Sequence, residues 1–409
     1  MNETRHISAV LPMLLGIFSS VATTGAGAQP VTIRRLDGSS ITTAAADSFA
    51  RRTLAAHRVT GAQLAVVNDG KIVWSTAYGL RQRDPDLPMQ RTTTTWAASI
   101  TKSVFATFVM SLVERGKFDL DAPVAKQLSK PLHEYAAYKA KAATLAGDPR
   151  WATVTPRMLL SHTSGLLNFA SMESDGQMRL HSTPGVEYRY SGEGINLVQF
   201  VIEELRGRPL GALMQDALFT PLGMTRTAMT FHADFGADIA DRFGVDEQFL
   251  AKTRRDPARA AGSMTSTADD LATFAIALMN GGVIRDESRA EMLRPYVRIS
   301  STHQFGPGSS DRGGTEAKRV GLAYGIGWGL LTRTKFGPAF FKEGHGDGAQ
   351  TYMICFERSR SCMIMMTNSD NGELAFRPLM ETILGNTVTP WEWEGYTPSY
   401  ILESRKQGN

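Results

Sequence analysis

The sequence predicts an α+β fold: one antiparallel sheet built from both chain ends, flanked by terminal helices, with a mostly helical subdomain inserted in the middle. Three observations carry that expectation. Runs that read as strands fall at 63–67 and 72–78, and again far along the chain at 326–332, 339–343, 351–356 and 362–367. Between these sets, apolar residues recur at helical spacing. Helical patterns also bracket the strands, at 44–57 before them and 373–384 after, which suits a layered α+β architecture.

Taken in order, residues 1–28 read as a secretory leader: Arg5 and His6 precede an apolar stretch over 7–21, and Ala26-Gly27-Ala28 precede Gln29. Pro12 and Ser19-Ser20 leave that run shorter than the roughly 20 residues a membrane anchor needs, so export to the periplasm or beyond is expected. No later stretch is apolar for long enough to span a bilayer. The two strands at 63–67 and 72–78 meet at Asn68-Asp69-Gly70, and Asp-Gly between alternating apolar residues is a hairpin signal. Val104, Phe105, Phe108, Val109, Leu112 and Val113 then repeat with a helical period, and Gly116 stands where that helix would stop. An alanine-rich stretch over 134–146 reads as helical. Thr155-Pro156 reads as a cap with proline in the first turn. A second amphipathic helix carries Leu197, Val198, Val201, Ile202 and Leu205 and ends at Gly207, and Thr267 with Asp270 resembles a capping box for a third.

The composition narrows the function. With 409 residues, 42% hydrophobic and 21% charged, the chain can bury a large core. The expected organisation is one catalytic domain over 29–390, with an α/β subdomain at about 44–100 and 285–390, a helical subdomain at about 101–284, and a C-terminal tail over 391–409. A formal charge of +4 without a dense Lys/Arg block offers nucleic acid no footprint. The histidines are scattered, with no two at metal-ligand spacing, so no metal or other cofactor is expected. No Gly-x-Ser-x-Gly elbow and no Gly-rich phosphate loop occurs. The partner is therefore a small-molecule or peptide substrate, and the oligomeric state stays open. Cys355 and Cys362 flank Arg358-Ser359; a hairpin centred there sets them opposite one another, close enough for a disulfide, whereas a slipped register leaves two buried thiols.

Chemistry concentrates at Ser99-Ile100-Thr101-Lys102, at the start of the first apolar helix. Side chains three apart lie on one helix face, so Lys102 reaches the Ser99 hydroxyl. A lysine can take a serine proton only when burial or a neighbouring positive charge lowers its pKa, and the apolar flanks supply the burial.

Ser99-x-x-Lys102 is followed by Leu159-Leu160-Ser161-His162-Thr163-Ser164-Gly165-Leu166, by Tyr190-Ser191 ahead of a helix, by Pro221-Leu222-Gly223-Met224, and by Gly344-His345-Gly346 ahead of a strand. In that order, over roughly 44–384, these motifs resemble the serine β-lactamase-related hydrolases. That class C-like group includes β-lactamases, D-alanyl-D-alanine carboxypeptidases, D-aminopeptidases and family VIII esterases. The resemblance implies a β-lactamase/transpeptidase-like fold, with Ser99 as the acylated nucleophile and Lys102 and Tyr190 sharing the proton transfers. It further implies that His345, in the motif with Gly346 and Asp347, contacts the anionic or carbonyl end of a substrate. The backbone N–H of Gly348 is expected to join that of Ser99 as an oxyanion hole. His162 is expected to be structural.

Two departures bear on the substrate. Gly192 stands where the tyrosine motif usually carries asparagine, which removes an amide for a peptide-like carbonyl. Asp347 stands where glycine is common, and its carboxylate would repel an anionic β-lactam or D-peptide terminus. The expected activity is that of an exported serine hydrolase acting through a Ser99 acyl-enzyme on an ester, an amide or a D-amino-acid peptide, with Asp347 or Glu193 as the site for a substrate ammonium. The alternatives are a true β-lactamase or D,D-carboxypeptidase and an inactive binding protein of the same fold; intact Ser99, Lys102 and Tyr190 weigh against the last.

Overall fold

The computed structural model describes residues 1, 31–306, 309 and 311–406. Apart from Met1, the expected leader lies outside the described residues. Three strands from the N-terminal part, β1 (Gly61–Asn68), β2 (Lys71–Arg83) and β3 (Asp86–Pro88), share a sheet with six from far along the chain. The latter are β4 (Val297–Arg298), β5 (Leu322–Tyr324), β6 (Gly329–Leu331), β7 (Ala339–Gly346), β8 (Ala349–Phe356) and β9 (Ser361–Thr367). The order β4-β5-β6-β7-β8-β9-β1-β2-β3 is antiparallel throughout and seats the last strand against the first, Ile364 opposite Ala65. This is the sheet from both chain ends that the sequence predicts.

Period-two alternation sends side chains of the central strands to two separate cores. In β1, Leu64 and Val66 face a core shared with the helices α1 (Thr43–Ala56) and α5 (Gly372–Ile383). Ala65 and Val67 face the other core, built with α2 (Ile100–Glu114), α3 (Gly192–Arg206) and α4 (Ala268–Met279). The β1–β2 turn places Asp69 and Gly70 at φ +51° and +71°, the left-handed pair that a two-residue hairpin requires. Cys355 pairs with Cys362 across β8 and β9, and the two form a disulfide.

Three expectations are corrected. The 134–146 stretch is a short 3-10 turn at Leu132–Glu134, then turns, then only one helical turn at Ala143–Ala146. The 326–332 run is split: Gly325 donates its N–H to Trp328 O, and Gly327, at φ +76°, lies where an added Cβ would stand 2.2 Å from Ala106 Cβ of α2. Packing against α2 breaks the strand there. The capping box at α4 is half formed: Thr267 Oγ1 accepts from the Asp270 N–H at 3.1 Å, while the Asp270 carboxylate accepts instead from the Arg226 N–H (2.9 Å) and Thr227 Oγ1 (2.8 Å). The described part of the expected C-terminal tail, 391–406, packs on the body: Trp391, Trp393 and Tyr396 are buried in the second core, and α6 (Pro398–Lys406) follows them.

Candidate active site

Ser99 is delivered by a tight corner. Thr95-Trp96 pairs with Thr265-Ser266, and the chain then turns through Ala98 at φ +44°, a left-handed conformation costly for a residue with a Cβ. Ser99 caps α2, whose residues from Ile100 to Leu112 are all buried. The polar ones among them find carbonyls: Thr101 Oγ1 donates to Ala98 O and Ser103 Oγ to Gly327 O, each at 2.5 Å. Lys102 is 2% exposed, and its Nζ donates to Ser99 Oγ at 2.8 Å and to Ala261 O at 2.5 Å. Burial pushes the Lys102 ammonium down, Tyr190 opposes that, and the charge of Lys342 adds to it.

Tyr190 enters from the loop ahead of α3, which Ser191 caps by accepting the Gly194 N–H at 3.0 Å. Its ring lies 5.0 Å from Lys102 Nζ and 5.0 Å from Lys342 Nζ. Burial alone would raise the phenol, yet the two ammonium groups outweigh it and hold Tyr190 below its ordinary value. Lys342 itself would be lowered by burial, but the Glu343 carboxylate, with which it forms a buried ion pair, and Tyr190 keep it above its usual value and charged. Gln304 Nε2 donates to the same carboxylate at 2.9 Å. His162 is fully buried behind this group: its Nδ1 accepts the Ser191 N–H at 3.2 Å and its ring lies 4.5 Å from that of Tyr190. Burial first, and then Lys102 and Lys342, keep it neutral. It buttresses the tyrosine.

Strand β7 runs hard against the serine. A Cβ added to Gly344 would stand 2.6 Å from Ala97 O and 3.1 Å from Ser99 N, and one added to Gly346 would stand 2.2 Å from the Trp96 ring. The oxyanion role expected of Gly348 does not fit. Gly348 sits in the β7–β8 turn and its N–H is spent on Asp370 Oδ1 at 2.6 Å. Gly346 pairs with Ala349 across the two-residue turn, so the alternation of an antiparallel ladder makes Gly344 a hydrogen-bonded partner of β8 and turns the His345 N–H outward. β6 covers β7 only up to Phe341, which leaves that N–H on an open edge. The His345 imidazole donates to Glu373 through Nδ1 (2.6 Å), and Glu373 raises it to about 9 against the effect of its enclosed surroundings, so it is an imidazolium at neutral pH that still reaches solvent through the cavity.

The two ammonium sites offered from sequence fare differently from expectation. Glu193 is buried, accepts the Ala170 N–H at 3.2 Å, pairs with Lys141, and does not line the cavity. Asp347 does line it, but beside Arg242 and Arg255, whose charges offset its own, and Arg242 Nη1 donates to its carbonyl at 2.8 Å. An amide is present near Gly192 after all: Asn168 Oδ1 accepts the Gly192 N–H at 2.8 Å, occupying space that a side chain at position 192 would fill.

Ser99, Lys102, Tyr190, Asn168, Arg255 and His345 all line one cavity of about 700 Å3. Phe305 sets its edge on the Tyr190 ring at 5.0 Å, and Tyr396, Tyr400 and Arg405 bring the C-terminal segment into the wall. Sequence reasoning missed Lys342, Asn168 and Arg255. Lys342 alone had a signal, since it shares a strand face with Phe340 and Gly344.

A family model described as Beta-lactamase matches residues 46–382. Esterase EstB of Burkholderia gladioli is 29% identical over 215 residues, 46% of this chain and 52% of the esterase, so the match spans about half of that relative. Penicillin-binding protein 4 of Amycolatopsis lactamdurans is 26% identical over 361 residues, 80% of this chain and 86% of the relative. Among solved structures, the octameric penicillin-binding protein homologue from Pyrococcus abyssi superposes with a TM-score of 0.67 at 20% identity, covering 86% of this chain and 80% of its own. The D-amino acid amidase from Ochrobactrum anthropi SV3 gives 0.60 at 21% identity, covering 89% and 99%. At these identities the two structures show a shared fold.

Proposed function

Since the chain belongs to the beta-lactamase family, whose members are serine hydrolases, we propose that it hydrolyses an ester, an amide or a D-amino-acid peptide through an acyl-enzyme on Ser99. One observation carries this reading: the Ser99 hydroxyl lies 2.8 Å from a buried lysine and faces a phenol held down by two ammonium groups. Lys102 or the Tyr190 phenolate takes the serine proton as Oγ attacks the carbonyl, and the same proton is handed to the leaving group. The N–H groups of Ser99 and His345 are the donors for the oxyanion, replacing the expected Gly348. Water then attacks the acyl-enzyme with the same base. Export fits both the leader pattern and the disulfide, which persists in an oxidising compartment.

The test is labelling by a fluorophosphonate together with turnover of p-nitrophenyl butyrate. Ser99→Ala is expected to lose labelling and to lower kcat by about 10³-fold or more. Labelling and turnover equal to those of the wild type would overturn the assignment.

A further inference from the structure

Next to the open end of β7, the cavity wall carries a charge that the mechanism above does not use. Trp96 is fixed there from two sides: its Nε1 donates to Gly262 O at 2.5 Å, and its ring occupies the space left by the missing side chain of Gly346. On this ring lie two guanidinium groups, Arg255 at 3.6 Å and Arg242 at 5.1 Å from the centroid. Arg242 is committed, donating Nη1 to Asp347 O. Arg255 is not. Among the described residues its side chain has no hydrogen-bond acceptor and no ion-pair partner, although it is half-buried and lines the cavity that holds Ser99. Asp347 is close enough to act on its charge, and Asp256 also lines the cavity, but neither closes an ion pair with it.

We propose that Arg255 is a specificity-determining residue that binds a carboxylate carried by the substrate. This rests on the reading of Ser99 as the nucleophile. A guanidinium held over a fixed indole, 3.6 Å from its centroid, has already lost part of its freedom, so less is left to lose when a carboxylate docks on its unpaired N–H groups. A buried or half-buried cation that served only packing would be matched within the protein, as Arg226 and Arg81 are by Asp238. Asp347, Asp256 and Asp370 also line this wall, so the case for an anion rests on the unpaired guanidinium of Arg255 and not on the net charge of the rim.

The experiment compares two esters of the same leaving group, p-nitrophenyl butyrate and the mono-p-nitrophenyl ester of glutaric acid, in the wild type, Arg255→Gln and Arg255→Lys. The quantity read is the ratio of kcat/KM for the carboxylate ester to that for the neutral one. That ratio is expected to fall tenfold or more in Arg255→Gln, mostly through KM, to be partly kept in Arg255→Lys, and to shrink in the wild type as ionic strength rises. A ratio unchanged within twofold in Arg255→Gln, with neutral-ester turnover measurable, overturns the carboxylate site and leaves the hydrolase reading standing. No turnover of either ester by the wild type, together with absent fluorophosphonate labelling, overturns the hydrolase reading and the proposal with it.

Discussion

At Tyr190 a buried phenol is held below its ordinary pKa because two ammonium groups outweigh desolvation, and one of them, Lys342, is kept charged by Glu343. Lys342→Met strands the Glu343 carboxylate in the interior, and a loss of about 3–5 kcal/mol is expected in urea unfolding. The double variant Lys342→Met/Glu343→Gln leaves no unpaired charge and should recover most of that loss. In the same double variant the larger of the two opposing charges on the phenol is gone, so Tyr190 rises. The acid limb of kcat/KM against pH is then expected to move to higher pH, and a limb that stays in place would remove Tyr190 from the proton path. Ser99, Lys102 and Tyr190 were legible because a one-turn helical spacing and an ordered set of motifs survive in the linear sequence. Arg255 was not, because it meets Trp96 from a loop about 160 residues away, and no period links them.

At the scale of the element, β7 explains why a strand can serve as one wall of the site. Phe340, Lys342, Gly344 and Gly346 share one face, on which an aromatic core residue, an ammonium and two glycines pass in turn along the serine corner. Gly344→Ala would place a Cβ 2.1 Å from Thr351 Oγ1 and 2.6 Å from Ala97 O. A stability loss of about 1–3 kcal/mol is expected from that overpacking, and turnover should fall further than the unfolded fraction explains, because the strand edge is pushed off Ser99. Thermal melts beside ester turnover separate the two effects. The paired strands β8 and β9 were readable from their apolar runs and the turn between them. The break at 325–328 was not, because it is imposed by the approach of Gly327 to Ala106, a contact that no local pattern announces.

Across the whole molecule, two cores lie on opposite faces of one sheet, and the disulfide ties neighbouring strands near its middle. The bridge from Cys355 to Cys362 closes a short loop, so its chain-entropy contribution is modest, and Cys355→Ala/Cys362→Ala is expected to lower unfolding free energy by about 2.5 kcal/mol in denaturant titrations. The C-terminal segment was the least legible part. Read as a tail, it places Trp393 Nε1 on Ser301 Oγ at 3.1 Å and gives the cavity Tyr396 and Tyr400, through aromatic contacts that only the closed fold creates. The seating of β9 against β1 also fixes an order in time. The first hairpin has no inner neighbour until Thr367 has been synthesised, so the sheet closes only after every helix inserted between the two sets of strands has been made.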